Sequence, residues 1–294
     1  MDFPRLGVFR AVACARSFSR AAESLFISQP AVSKHIRLLE AELGAQLLLR
    51  AGRRTELTDA GRIVDDYARR VFALGQEMRR ALGELEGLRR GYLRIGASST
   101  PGLYLLPAVL AAFRQAHPGI DLSLDIGNSQ EIAARVARHE LDIGFVGALP
   151  KAVGLQVQPF VSDEIVPIMP AAETFAARPL ALDAALQTET LIIREAGSGT
   201  RAAVEAALAG WGHQAQRVMV LRGCEAVKRG VVAGLGFAFV SRLAVALETA
   251  QGVLKTLDAQ GQSIRRNLYV LSRKDVHASA AALAFLALVR KRQP

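Results

Sequence analysis

From Asp59 to Gly91 the chain reads DAGRIVDDYARRVFALGQEMRRALGELEGLRRG, and no proline follows until Pro101. Thr58 supplies a cap at one end and Gly91 a stop at the other. About 30 residues at 1.5 Å per residue make a rod of roughly 45 Å, too long to be one helix inside an ordinary globular core. Ile63, Tyr67, Leu74, Met78, Leu82 and Leu85 recur mostly at intervals of three and four, so the rod has an apolar stripe. Asp65, Asp66, Arg69, Arg70, Arg79 and Arg80 flank it. The pattern predicts a helix seam between two chains. Packing against the chain's own body is the alternative, and Gly75, Gly83 and Gly87 weaken a strict coiled coil.

The rod separates an N-terminal region over 1–58 from a longer region over 91–294, and a chain of 294 residues with 51% hydrophobic composition has room for about two folded units. Lys and Arg number 37 against 27 Asp and Glu, a net +10. Residues 1–54 carry nine basic and four acidic side chains, so half of that excess sits in less than a fifth of the chain. Nucleic acid is the leading partner class; solvated charge on surface helices is the alternative. Cys14 and Cys224 are too few for a disulfide framework, the N-terminus lacks a secretory pattern and no stretch reaches membrane-spanning length. A soluble, cytoplasmic protein with no membrane partner is expected, with Cys14 in a helical core.

Within the basic region the spacing predicts three helices. Leu6, Phe9, Val12 and Ala13 give the first, over about 4–15. Ser17 or Ser19 caps a short second one containing Ala21, Ala22 and Leu25. After the Phe26-Ile27 turn, Ser28 caps a third whose first turn accepts Pro30. Val32, Ile36, Leu39 and Leu43 form its buried face and Gly44 ends it. Gln29, Ser33 and Arg37 line the opposite face, with Lys34 beside them. Gln pairs with adenine, Arg or Lys with guanine, and Ser with base edges or phosphate. A short strand over Leu47–Leu49 then leads to Arg50, Arg53, Arg54 and Thr55 around Gly52, a turn suited to phosphate or minor-groove contacts. A small helical bundle with a solvated face is the competing reading.

The run SFSRAAESLFISQPAVSKHIRLLEAELGAQLLLRAGRRTELTDAG resembles the winged helix-turn-helix of the LysR-type transcriptional regulators, and the likeness covers residues 3–61. Leu stands at 48 and 49 where that family commonly has a Phe, which is expected to alter packing behind the wing. The resemblance implies double-stranded DNA with a pseudo-palindromic operator as partner, read by Ser28, Gln29, Pro30, Ser33, Lys34, Arg37, Arg50, Arg53, Arg54 and Thr55. It also implies that residues 59–90 form a linker and dimerisation helix, in a homodimer or homotetramer.

Beyond Gly91 the pattern alternates. YLRIGAS, IDLSLDIG, LDIGFVG, LQVQPF, IVPIMP, TLIIR, RVMVL, GFAFV and NLYVLS read as strands, with helices near 102–115, 129–138, 200–210, 224–233 and 279–291. The class is α/β. Ligands in such folds bind beyond strand ends, where helix N-termini offer free amides. Three junctions have that form: Ser98-Ser99-Thr100 before Pro101, Gly127-Asn128-Ser129, and Gly197-Ser198-Gly199-Thr200 flanked by Arg194 and Arg201. The last suits an anion, yet GSGT lacks a P-loop's Lys and spacing. Plain helix capping explains each junction equally well.

This region resembles the LysR-type effector domain, a type 2 periplasmic-binding-protein-like fold of two lobes. The nearest likeness is to the branch of Calvin-cycle operon activators and sulfur-assimilation regulators, on Tyr104–Pro107, Gly127-Asn128, Asp142–Val146, Arg194–Arg201, Glu225–Lys228 and Ala233–Gly236. The resemblance implies lobes over about 91–161 with 266–294 and about 162–265. It further implies a small, anionic effector held by Ser98, Ser99, Thr100, Asn128, Ser198, Gly199, Thr200 and Glu225. Cys224 stands where the branch often has Asn or Ser; redox sensing and plain burial are both open for it. His35, His117, His139, His213 and His277 lack metal spacing and no nucleophile has a base beside it, so neither metal, cofactor nor catalysis is expected. An enzyme or solute-binding protein on the same two-lobed fold is the rival class.

Overall fold

The computed structural model describes residues 2–51, 54–84, 91–150, 152–171, 181–257, 259, 261–274 and 278–291. The chain divides into two compact units, Met1–Arg79 and Arg80–Pro294.

In the first unit, α1 (Phe3–Ala15), α2 (Phe18–Leu25) and α3 (Gln29–Leu43) close around a core that includes Leu6, Phe9, Val12, Val32, Ile36 and Leu39. Ser17 and Ser28 cap α2 and α3, each hydroxyl accepting an amide from the first turn, of Arg20 and of Ala31. Gly44 closes α3 with φ +66°, a conformation that favours glycine. Two expectations change here. Cys14 is exposed, because the buried face of α1 runs through Leu6, Phe9 and Val12 and position 14 falls on its far side. Leu43 is also largely exposed, at the end of its helix.

Strands β1 (Leu48–Ala51) and β2 (Arg54–Leu57) form the wing, antiparallel, with Leu48 opposite Leu57. Leu48 is buried and Leu49 exposed, so only the first of the two leucines packs behind the wing. Glu40 fixes the entry to it by accepting the amides of Leu47 at 2.7 Å and Leu48 at 3.2 Å. Helix α4 is described over Asp59–Glu84. The Thr58 hydroxyl both accepts the Gly61 amide and donates to the Gln46 carbonyl, tying the helix start to the wing. A Cβ at position 61 would lie 2.1 Å from the Leu47 carbonyl oxygen, so only glycine fits. Ile63, Tyr67, Leu74 and Met78 are each at least 60% exposed along α4, as an unpartnered seam requires. The Leu82 side chain, Leu85, Gly87 and the expected continuation over 85–90 lie outside the described residues.

The second unit is built on nine strands among the described residues, in the order β4-β3-β5-β11-β6-β9-β7-β8, with β10 paired to β6. β3 (Gly91–Ser98) is parallel to β4 (Ile120–Gly127) and β5 (Ile143–Val146). At the other end, β7 (Thr190–Arg194) is parallel to β8 (Arg217–Leu221) and β9 (Phe237–Ser241). Between them lie two long antiparallel strands, β6 (Leu155–Pro170) and β11 (Ile264–Arg273). The stretches LQVQPF and IVPIMP, read above as two strands, are therefore one. The polar Ser162-Asp163-Glu164 interruption suggests a turn, yet it pairs in register with Asn267, Arg266 and Arg265.

A turn of π-helix over Pro101–Leu105 leads into α5 (Leu106–Ala116), and α6 (Ser129–Ala137) follows β4. Helices α7 (Leu182–Thr188), α8 (Gly199–Gly210), α9 (Cys224–Val232) and the short α10 (Ala246–Ala250) surround the far strands, and α11 (Ala280–Lys291) returns to the first ones. The sequence reading missed α7, α10 and β10 (Leu254–Thr256), all short. Phe113, Phe145 and Phe285 pack with Leu93 and Ile95 in one core. Leu191, Val204, Phe237 and Phe239 centre another around the far strands.

Candidate nucleic-acid interface and effector cleft

Helix α3 carries its polar residues away from the core. Ser28, Pro30, Lys34 and Arg37 are exposed and Gln29 and Ser33 half-buried, while Val32, Ile36 and Leu39 are inside. Gln29 Nε2 donates to Ser33 Oγ at 2.9 Å and Arg37 Nε to the Ser33 carbonyl at 3.4 Å, so the three expected readers form one connected row. Thr55 departs from the expectation. It is buried, and its amide donates to the Arg16 carbonyl, so it anchors the wing instead of lying on an open face. Arg53 lies outside the described residues, as do the side chains of Arg50 and Arg54.

In the second unit the three strand-to-helix junctions meet. Ser98, Ser99 and Thr100 from the end of β3, Asn128 and Ser129 from the start of α6, and Ser198, Gly199 and Thr200 from the start of α8 line one narrow pocket. Arg194 and Arg266 complete its wall. Asn128 accepts the Glu131 amide at 2.9 Å, and its Nδ2 donates to the Ala196 carbonyl at 3.3 Å, so this helix cap is also a bridge between the lobes. The Gln130 amide likewise donates to the Gly197 carbonyl. Ser198 Oγ accepts from the Arg201 amide.

Arg266 was absent from the sequence reading and is the residue on which the cavity turns. Its guanidinium donates to Thr100 Oγ1 at 3.1 Å, to Thr200 Oγ1 at 3.0 Å and to Asp163 at 2.8 Å, joining both lobes from the central strand. Burial pushes its pKa down, and Asp163 opposes that push. Arg194 is held differently, by two 2.8 Å hydrogen bonds to Glu195. Burial alone would raise the Glu195 pKa, but the Arg194 hydrogen bonds and the Gly223 amide prevail and lower it to about 2. Buried hydroxyls, helix N-termini and two guanidinium groups make a site matched to a small anion.

Glu225 does not line this cavity. It accepts from the Tyr104 hydroxyl and from Lys228, and Lys228 also reaches Glu248 at 2.6 Å. Burial raises the Tyr104 pKa, reinforced by Cys224 and Glu225 nearby. Cys224 itself is buried, and burial raises its pKa, which makes it a poor thiolate source.

Residues 3–62 match the family of bacterial regulatory helix-turn-helix proteins of the lysR type, and residues 86–294 match the LysR substrate binding domain. The chain belongs to the LysR family. This LysR-type chain is 38% identical to the RuBisCO operon transcriptional regulator of Allochromatium vinosum over 281 residues, covering 96% of itself and 93% of that relative. The regulatory domain of Synechocystis PCC6803 CcmR, solved in complex with 2-PG, is 30% identical, with a TM-score of 0.62 over 69% of this chain and 97% of that one. Full-length CbnR, solved in complex with its target DNA, shares the fold at a TM-score of 0.73 and 24% identity, covering 99% of both chains. The protein is a DNA-binding transcriptional regulator of the LysR type, and several of its relatives, 34–38% identical, are named RuBisCO transcriptional regulators. No described helix is long and apolar enough to cross a membrane.

Proposed function

We propose that this regulator engages a pseudo-palindromic operator through Gln29, Ser33, Lys34 and Arg37 on α3, which meet bases and phosphates with Lys34 on a phosphate, with the wing arginines 50, 53 and 54 on further phosphates, and that a small anionic metabolite sets its output from the cleft. The pocket carries the reading: two arginines and hydroxyls from both lobes converge on it. Ser98, Ser99, Thr100, Asn128, Ser198, Gly199 and Thr200 hold the anion, with Arg194 and Arg266 supplying positive charge. Glu225 acts from outside, through Tyr104 and Lys228. The bound CcmR regulatory domain supports a small ligand in a domain of this kind.

In this reading residues 1–58 bind DNA, 59–90 pair two chains and 91–294 sense the effector, in the cytoplasm. An anion changes transcription only as far as its affinity differs between two arrangements of the lobes. The test is to retain fragments of the source genome on the purified full-length protein at moderate salt, with and without inorganic phosphate and small phosphorylated acids. A few retained sites with two-fold symmetry, shifted in affinity by one such anion, are the expected result. Retention indifferent to sequence and to every anion overturns the proposal.

A further inference from the structure

On the far side of the cleft lies a second, larger space that none of the roles above uses. It holds about 910 Å³, open to solvent, between the loop after β5, the first turns of α8 and strand β11. Only a thin partition separates it from the cleft. A Cβ on Gly199 would lie 2.5 Å from the Gly147 carbonyl, so the two glycine backbones touch where the lobes meet. The Gly147 amide donates to Ser129 Oγ, a cleft residue, at 3.1 Å, and Arg266 lines both spaces.

The lining of this crevice has one guanidinium, that of Arg265, with no carboxylate in ion-pair contact among the described residues. Arg265 lies opposite Glu164 in the strand register and its charge helps to lower the Glu164 pKa, but the carboxylate is hydrogen-bonded by Arg242 at 2.7 Å, and Arg265 makes no direct ion pair among the described residues. Arg266 beside it is neutralised by Asp163. Around Arg265 the surface is mostly apolar: Ala148, Leu149, Ala202 and Ala203 contribute, with the Tyr269 ring. Leu149 is 65% exposed, a cost in water that an apolar occupant removes.

We propose that this crevice is a second ligand site, which takes a small amphipathic monocarboxylate. A carboxylate pairs with the single planar guanidinium of Arg265 in bidentate fashion, while the hydrocarbon body covers Leu149, the alanines and Tyr269. Arg265, with no direct carboxylate partner, matches one negative charge, whereas the two cleft arginines are each paired with an acidic side chain. Because the partition is shared, an occupant of the crevice alters how Gly147 and Gly199 meet, and so alters the cleft. Such coupling is reciprocal.

The test uses the full-length protein and phenylacetate as probe, measured by equilibrium dialysis. Saturable binding of one phenylacetate per chain is expected. Arg265→Gln weakens it at least about tenfold, the loss expected of a charge-assisted hydrogen bond. Ala203→Phe, which fills the crevice, does the same, and Ser99→Ala in the cleft changes it less than about twofold. Circular dichroism melting checks that each variant folds. Absence of saturable binding by the unaltered protein overturns the proposal. So does binding lost in Ser99→Ala but kept in Arg265→Gln, which places the probe in the cleft. Saturating inorganic phosphate is expected to shift phenylacetate affinity about fivefold or more in either direction; independence of the two overturns the coupling. Genome-fragment retention does not depend on this result, so either reading can fail alone.

Discussion

Arg266 and Asp163 face each other across β11 and β6, with Nε donating to Oδ2 at 2.8 Å and side chains only 8% and 0% exposed. A buried pair of this kind is costly to break from one side, because the surviving charge keeps its desolvation penalty. Asp163→Asn is expected to destabilise the second unit by about 3–5 kcal/mol. Trp211, the sole tryptophan, packs half-buried against a core of that unit and reports its urea unfolding by fluorescence.

Acid should act on the cleft through Glu195. Its carboxyl sits near 2 in the folded chain and near 4.5 when free, so it contributes stability above about pH 4.5 and loses that contribution as pH falls toward about 2. In Glu195→Gln this component disappears. Subtracting the variant's stability-against-pH curve from that of the parent should leave a difference that is flat above pH 5 and declines only below it. A difference growing toward acid refutes the assignment.

On DNA, Lys34 and Gln29 should separate by salt. Lys34→Ala removes one phosphate contact and lowers the slope of log affinity against log salt by about 0.9, for all sequences alike. Gln29→Ala leaves the slope unchanged and relaxes preference at one base pair, at a cost of about 1–3 kcal/mol. Fluorescence anisotropy at several salt concentrations distinguishes the two.

The exposed row Ile63, Tyr67, Leu74 and Met78 predicts that chain association weakens when it is charged. Leu74→Asp with Met78→Asp should raise the dissociation constant at least about 30-fold, read by sedimentation velocity.

Gly61→Ala places a methyl group on the Leu47 carbonyl. A loss of about 1–3 kcal/mol is expected, seen as faster hydrogen exchange at the amides of α3.

Local pattern made much of this legible. Helix α3 announces itself because Ser28, Pro30 and Gly44 punctuate a four-three-four apolar spacing. The cleft hydroxyls were readable because Ser98–Thr100, Asn128 and Ser198–Thr200 each sit where a strand hands over to a helix. Arg266 and Asp163 were not, since they lie in mid-strand, 103 residues apart, and only register brings them together. Glu225 was drawn into the site by likeness, but its position at the start of α9 turns it toward Tyr104 and Lys228. Cys14 shows a simpler limit: an apolar neighbourhood in sequence does not say which side of a helix is covered.

Strands β6 and β11 carry the chain out of one lobe and back into it, so that lobe is assembled from two separated stretches. Its core needs Phe285 and Val289 of α11 against Leu93 and Ile95 of β3. On a ribosome the far lobe is delivered whole once Ile264, at the start of β11, has emerged, while the first still lacks a wall. The candidate effector cleft therefore takes shape only when synthesis has passed α11, and a nascent chain cut short of Phe285 carries the helix-turn-helix with the cleft half built.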